Sequence, residues 1–158
     1  MKSKIAVRRA VEADCPQLTK LLSSLQAHYR SADPPDSAAR MAKLLARAGD
    51  YQPFALVAEQ DGQLVGVATL NPVLYGGAFE WLLYLQDLYV STRSKGVGRE
   101  LMRAIAQVAR EGGYVRVDWT TNAANQGAQR FYDGLGIPRQ AKVHYRLTGA
   151  DLERLASL

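Results

Sequence analysis

The chain has 158 residues, of which 47% are hydrophobic and 22% charged, with a formal net charge of +5. This length fits one globular domain with a substantial core, so we expect a single domain over residues 1–158. No apolar run reaches the roughly 18 residues of a membrane span, no secretory signal is evident, and the lone Cys15 excludes an internal disulfide. We expect a cytoplasmic protein with no membrane partner and no metal site.

The first half of the chain predicts one strand, two helices and a hairpin. Residues 4–10 alternate apolar and basic positions, which is typical of a strand. A first helix runs from Asp14 to about Tyr29, and a second ends at Gly49. Two antiparallel strands follow, "FALVAEQ" and "QLVGVATLNPVLY", joined by an Asp-Gly turn.

The second half predicts alternating strands and helices. A long strand over residues 78–90 leads into a helix from Val97, then a strand over residues 114–120, a short helix over 125–136 and a sixth strand over 141–148. The helix from Val97 connects strands four and five, so these two strands should be parallel. The predicted fold is α+β: a mixed, mostly antiparallel central sheet of about six or seven strands flanked by helices.

A basic loop with two glycines precedes the helix that starts at Val97. Between Arg93 and Arg110 there are five basic residues and one acid, so most of the excess positive charge lies here. A helix amino terminus leaves N–H groups unpaired and carries partial positive charge, and Gly96 and Gly98 let a ligand approach the backbone. The pattern predicts a phosphate or pyrophosphate site, while a solvated helix face is the alternative explanation of the charge.

Two common phosphate-binding signatures are absent from this loop. No Lys-Ser/Thr pair follows Gly98, which excludes a P-loop, and Leu101 occupies the third glycine position of the dinucleotide fingerprint. The lone Gly-x-Gly is therefore a weak signal without its surroundings.

Two longer stretches resemble one known family. "DLYVSTRSKGVGRELM" (residues 87–102) is similar to the acetyl-CoA-binding segment of the GNAT N-acetyltransferases, with its Arg/Gln-x-x-Gly-x-Gly/Ala signature after a strand ending in Leu-x-Val. "NQGAQRFYDGLG" (residues 125–136) resembles the later Asn-x-x-Ala-x-x-Phe-Tyr segment of the same family. The resemblance implies an acetyl-CoA-dependent N-acetyltransferase, nearest in its motifs to the polyamine and histone acetyltransferase-like branch.

The resemblance also implies where acetyl-CoA would bind. The loop and helix start would cradle the pyrophosphate through Arg93, Ser94, Lys95, Gly96, Val97, Gly98 and Arg99. The backbone of Leu88, Tyr89 and Val90 would bind the pantetheine arm as a neighbouring strand. A bulge in this strand would free the N–H groups of Leu88 and Tyr89 for the oxyanion.

The second motif supplies three candidate side chains. Asn125, Gln129 and Tyr132 are spaced i, i+4, i+7 and so share one helix face, beside an apolar stripe that can pack. The resemblance implies that Asn125 holds the pantetheine arm and that Tyr132 protonates the departing thiolate. The alternative is that Tyr132 is only an amphipathic residue at the edge of the core.

The residue that would deprotonate the amine is the main departure from the family pattern. Gln86 occupies the position where a Glu often precedes the Asp, and an amide accepts no proton at neutral pH. Either a water chain that touches Gln86, Glu80 or Tyr84 removes the proton, with Gln86 as the catalytic candidate, or the substrate amine has a lowered pKa.

Strict alternation places Gln86 on the face of Leu88 and Val90, and Asp87 on the other face. We interpret Asp87 as a structurally paired strand carboxylate and His28 and His144 as ordinary polar residues. The alternative for His28, together with Tyr29, is a wall of the acceptor pocket.

Three functions remain open from the sequence. The first is N-acetylation of a primary amine in a small molecule, polyamine or amino-acid-like, or in a protein. The second is a catalytically weak CoA-binding sensor, which Gln86 makes reasonable. A nucleic-acid binder is the weakest, because CoA phosphates already explain the basic stretch.

The strand-like segment over residues 141–148 and the tail favour a homodimer.

Overall fold

The computed structural model describes residues 4–29, 32, 34–75, 80–91 and 95–158 and divides into two compact units, Met1–Thr120 and Thr121–Leu158. Within the described residues the first unit contains five strands and three α-helices, and the second contains two helices. In chain order the elements are β1 (Ala6–Arg9), α1 (Cys15–His28), α2 (Ser37–Leu45), β2 (Phe54–Gln60), β3 (Gln63–Tyr75), β4 (Glu80–Val90), α3 (Val97–Glu111), β5 (Val117–Asp118), α4 (Gln126–Gly134) and α5 (Ala150–Ala156).

The five strands form one sheet in the order β1-β2-β3-β4-β5. Each neighbouring pair among the first four strands is antiparallel, and β5 pairs in parallel with β4. The predicted α+β class, a mixed and mostly antiparallel sheet flanked by helices, is confirmed.

The described strands number five rather than the expected six or seven. Residues 141–148 form no strand, and their apolar members point to solvent: Val143 is 77% and Tyr145 is 89% exposed. The alternating pattern that predicted a strand is present, but no described strand pairs with it. β5 has two residues, whereas the sequence predicted a strand of seven residues over 114–120.

The turn between β2 and β3 explains the hairpin. Asp61 and Gly62 both have positive φ, at 52° and 74°, as the two central residues of a type I′ turn require. Asp and Gly tolerate this conformation better than other residues, so the Asp-Gly pair sets the register of the turn, which then shifts by one residue between Ala58 and Glu59. The predicted hairpin is confirmed.

The core of the first unit has two layers, one on each face of the sheet. Leucines of α1 and α2 pack on one face with Ala55, Val57 and Val67. The apolar stripe of α3, led by Val97 and Leu101, packs on the other. Within the described residues no helix is both long enough and apolar enough to span a bilayer.

Gly66 of β3 is the point where α3 comes closest to the sheet. A Cβ atom added to it would lie 3.0 Å from Cγ1 of Val97 and 3.2 Å from Cδ1 of Leu101. Both contacts are shorter than ordinary van der Waals separation, so the absent side chain allows the amino-terminal turn of α3 to rest on the strand.

A partly buried ion pair ties β1 to the start of α1. Arg8 donates to both carboxylate oxygens of Asp14, at 2.7 and 2.9 Å, and also to Glu59. The N–H of Val11 donates to Asp14 as well. Asp14 is only 7% exposed, and the hydrogen bonds from Arg8 lower its pKa.

Candidate active site

β4 contains one residue more than the stretch of β3 that it faces. Thr69 pairs with Asp87, whereas the next residue, Leu70, pairs with Leu85. Gln86 is therefore a β-bulge, and its side chain is exposed. Beyond this bulge, each side chain of β4 points to the face opposite to the one that strict alternation from Leu85 would give.

The bulge changes which side chains of β4 share a face. Leu83 and Leu85 before the bulge, and Leu88 and Val90 after it, all pack on the α3 layer. The expected face of Gln86 stays a prediction, because the bulge breaks the alternation on which that expectation depended. Tyr89 packs with the α1 and α2 layer, on the face opposite to Leu88 and Val90.

The outer edge of β4 opens beyond the short pairing with β5. The parallel pairs are Leu83 with Val117 and Tyr84 with Asp118, and no described strand pairs with this edge farther along. The N–H of Leu83 donates to Arg116 across this edge, whereas the N–H of Ser91 donates to Val65 of β3. Because the backbone groups of successive residues point to alternate edges of a strand, those of Val90 and Leu88 point away from β3.

Leu88 and Val90 are the residues that present N–H and C=O groups at the open edge. Tyr89 directs its backbone towards β3, and its carbonyl oxygen lies 3.2 Å from a Cβ built on Gly66. The expected pair of oxyanion donors, Leu88 and Tyr89, thus points to opposite edges. The sequence analysis expected a bulge in this strand but not its position. With the bulge at Gln86, the N–H group of Leu88 faces the open edge and that of Tyr89 faces β3.

The amino terminus of α3 follows this edge and has the geometry of an anion site. Gly96 precedes the helix with φ of 98°, a left-handed conformation in which most side chains would be strained. Val97 is buried, while Lys95 and Arg99 are exposed beside the unpaired N–H groups of the first turn. Gly98 is half-buried. Arg93 and Ser94, also predicted to contact the pyrophosphate, lie outside the described residues.

The second unit holds the three predicted side chains around α4. Asn125 is the N-cap, and its Oδ1 accepts from the N–H of Ala128 at 3.0 Å. Gln129 donates to the carbonyl of Ala123 at 2.8 Å. Tyr132 is half-buried, with its ring edge-on to Phe131 at 5.2 Å. Asn125 and Gln129 thus stabilise the start of α4 in addition to any role with a ligand.

One polar contact near the bulge was missed by the sequence analysis. Thr69 is 6% exposed, and its hydroxyl donates to Oδ2 of Asp87 at 2.8 Å. A threonine inside the apolar run "VGVATL" at an inward position was the available signal. Burial, followed by the charge of Asp87, raises the pKa of Tyr29 at the end of α1.

A cavity of about 520 Å³ lies elsewhere, at the carboxyl end of α3, and is lined by Arg9, Phe54 and Tyr114 among others. None of the residues predicted for the site lines it. The candidate active site is therefore the open edge of β4 and the turn that follows it.

A bulged strand with an open edge, followed by a glycine-capped helix, defines the class of the protein as an acyltransferase that uses CoA. The chain belongs to the acetyltransferase (GNAT) family, whose model matches residues 18–137. The family resemblance and the enzyme class predicted from the two motifs are confirmed: the protein belongs to the acyl-CoA-dependent N-acetyltransferases.

Three similar proteins give the extent of this relationship. The N-acetyltransferase YhfO of Bacillus subtilis, whose function is uncharacterised, is 28% identical over 144 residues, which cover 89% of this chain and 95% of YhfO. A solved integron cassette protein from the mobile metagenome of V. cholerae is 25% identical, with a TM-score of 0.82 over 98% of both chains. A solved aminoglycoside acetyltransferase from a soil metagenome is 25% identical, with a TM-score of 0.76 over 91% of this chain and 95% of its own.

Proposed function

We propose that the protein transfers the acetyl group of acetyl-CoA directly to the primary amine of a small molecule, either polyamine-like or amino-acid-like. The observation that carries the proposal is the open edge of β4, which leads straight to the glycine-capped start of α3. A similar solved structure that is an aminoglycoside acetyltransferase supports a small-molecule acceptor.

In this proposal the cofactor runs along β4 towards α3. The pantetheine arm pairs with the backbone of Leu88 and Val90 as an added strand would. The pyrophosphate lies at the helix start, where residues 95–99 supply N–H groups and two basic side chains. Asn125 and Gln129 contribute from α4 to the pantetheine arm.

The transfer step needs a proton donor for the sulfur and a proton acceptor for the amine. The amine loses a proton to water, its nitrogen bonds to the acetyl carbon, and the N–H of Leu88 stabilises the oxyanion that forms. The C–S bond then breaks, the thiolate takes a proton from the Tyr132 hydroxyl, and the phenolate recovers one from the new amide nitrogen. Gln86 orders the water rather than accepting the proton, because its amide is not basic.

A thiol-release assay with acetyl-CoA and a panel of primary amines tests this scheme. Tyr132→Phe should lower kcat by about 100-fold or more, the usual contribution of a positioned general acid. Tyr145→Phe is the matched control, since it removes the same hydroxyl from an 89% exposed tyrosine in the same unit. Turnover that survives Tyr132→Phe unchanged would remove Tyr132 from the mechanism.

The sensor function remains the second candidate because Gln86 stands exposed at the bulge where a base is expected. A sensor would bind acetyl-CoA tightly in a calorimetric titration and acetylate none of the amines. Gln86→Glu would then be expected to create turnover from a background of none, whereas an active enzyme needs no such change.

The remaining expectations stay predictions. These are the single domain over residues 1–158, the homodimer, the cytoplasmic location and the absence of metal and nucleic-acid partners. Light scattering in solution measures the mass and decides between monomer and dimer.

A further inference from the structure

The α1 side of the bulge carries a carboxylate among aromatic rings. Beyond Gln86, β4 directs Asp87 and Tyr89 towards the end of α1, where His28 and Tyr29 lie. The ring of His28 is 6.3 Å from that of Tyr89 and 5.3 Å from that of Tyr29. We call Thr69, Asp87, Tyr89, His28 and Tyr29 the Asp87 cluster.

Thr69 fixes the carboxylate of this cluster. It stands between Ala68 and Leu70, which are both fully buried, so its hydroxyl would be costly there without a partner. The 2.8 Å hydrogen bond to Oδ2 of Asp87 satisfies the hydroxyl and fixes the position of the carboxylate. Within the part of the chain that the structure describes, Asp87 accepts no other side-chain hydrogen bond, so Oδ1 can accept from a second donor.

The exposure of the cluster suits a ligand that arrives from solvent. Asp87 and Tyr89 are half-buried, whereas His28 and Tyr29 are exposed, and Tyr29 retains 59% of its surface. The carboxylate therefore lies at the base and aromatic rings form the rim. A carboxylate with aromatic faces around it recognises an organic ammonium ion, through a charge-assisted hydrogen bond and contact with the rings.

We infer that Asp87 binds the acceptor: Oδ1 accepts a hydrogen bond from the ammonium group of a primary amine whose apolar body packs on the rings of His28, Tyr29 and Tyr89. Thr69 is the positioning residue that holds Asp87 in place. This inference rests on the proposed function, because it assigns the acceptor site of that same reaction. An amine with a carboxylate beside it is disfavoured, since that carboxylate would face Asp87.

Two probes that differ by one carboxylate test the assignment, namely 2-phenylethylamine and phenylalanine. The parent should use the amine with a kcat/KM at least about tenfold above that for the amino acid. Asp87→Asn should raise the KM of the amine by about 10- to 100-fold, as expected when a charge-assisted hydrogen bond is lost, and should reduce the preference. The KM for acetyl-CoA should stay within about twofold of the parent value.

Glu111→Gln is the matched control, because it removes one negative charge at the far end of α3. It should leave both KM values and the preference as in the parent. An equal effect in the control would mean that net charge, not Asp87, governs the selection.

The role of Thr69 is tested by a pair of substitutions. Thr69→Val should raise the KM of the amine by about fivefold, the loss expected for one hydrogen bond, while Thr69→Ser should restore it. A purely structural contact would instead lower the melting temperature and leave the KM of the amine unchanged.

Binding without turnover separates this inference from the proposed function. Calorimetric titration of 2-phenylethylamine and the rest of the amine panel into the CoA-loaded parent and Asp87→Asn reports the site directly. Binding that depends on Asp87 without any acetyl transfer would sink the proposed function and keep the ammonium site. If the enzyme turns over and Asp87→Asn leaves both the KM of the amine and the preference unchanged, the inference is overturned and the proposed function stands. The inference is also overturned if no amine of the panel binds.

Discussion

The two units of the molecule differ in how their apolar residues are used. In Met1–Thr120 the apolar residues of sheet and helices form two buried layers, and several leucines are fully inaccessible. In Thr121–Leu158 no residue is buried, although α4, α5 and residues 141–148 all carry periodic apolar positions. Periodicity therefore predicts which side of an element is apolar, whereas burial depends on a partner surface. A segment of this size rarely forms a core of its own.

The largest contrast is expected from matched leucine truncations. Leu101→Ala in α3 removes a fully buried side chain and should cost about 3 kcal/mol of unfolding free energy, because it leaves a cavity. Leu155→Ala in α5 removes a side chain that is 46% exposed and should cost less than about 0.5 kcal/mol. Urea denaturation of both variants measures the difference, and equal losses would show that the second unit packs as tightly as the first.

Matched glycine substitutions should act in opposite directions. Gly66→Ala places a methyl group against Val97 and Leu101 and should cost about 2 kcal/mol through overpacking. Gly134→Ala meets no atom within 4 Å at the end of α4 and should gain up to about 1 kcal/mol from helix propensity. Thermal unfolding checks the signs, and a weaker Kd for acetyl-CoA in Gly66→Ala would indicate that the start of α3 had moved.

Two Arg–Asp pairs compare the units electrostatically. Asp14→Asn breaks the partly buried pair with Arg8 and should cost about 1.5 kcal/mol at pH 7. Since the folded pKa of Asp14 is lowered, this stabilisation is complete above the unfolded pKa, near 3.9, and is lost as the pH falls through the folded value. The parent and variant should therefore converge in acid.

Asp133 and Arg139 form the corresponding pair in the second unit, at the surface. Asp133→Asn should change the unfolding free energy less than Asp14→Asn does at pH 7, because water and salt screen an exposed pair. An acid-dependent loss as large as that of Asp14→Asn would contradict the exposure of this pair.

The smallest effect is expected in the segment that resembles a strand but forms none. Tyr145→Ser removes a ring that is 89% exposed and should change the unfolding free energy by less than about 0.5 kcal/mol. Hydrogen exchange should also find the amides of residues 141–148 unprotected. Strong protection together with a large loss would mean that the segment pairs with a partner strand.

The sequence predicted the elements of the first unit because local rules decide them. The Asp61-Gly62 turn, the helix of α1 and the glycine before α3 each follow from residue type and spacing. The parallel pairing of β4 and β5 followed from the helix that connects them. The predicted strand over residues 141–148 is absent because alternation indicates only that a segment could form a strand. Whether it does depends on a free sheet edge to pair with, which the local sequence does not determine.

The candidate site was predicted less completely because it depends on one register shift. The loop residues could be named from their motif, but the bulge at Gln86 could not be placed from alternation alone. Downstream of the bulge, Tyr89 points its backbone to β3, which the sequence analysis did not predict, and the partner of Asp87, Thr69, also became visible only in the structure. Gly66 carries no motif, and its importance appears only when α3 is seen against β3.

The bulge also bears on how the gene can change. The side chain at position 86 is exposed, so a codon there can be exchanged without disturbing the packed layers. Deleting that codon would remove the bulge and its local bend, while regular alternation from Leu85 would keep Leu88 and Val90 on the α3 layer and Asp87 and Tyr89 on the other face. A change in the number of residues at this point should therefore act through the bend and twist of β4 rather than through the faces of its side chains.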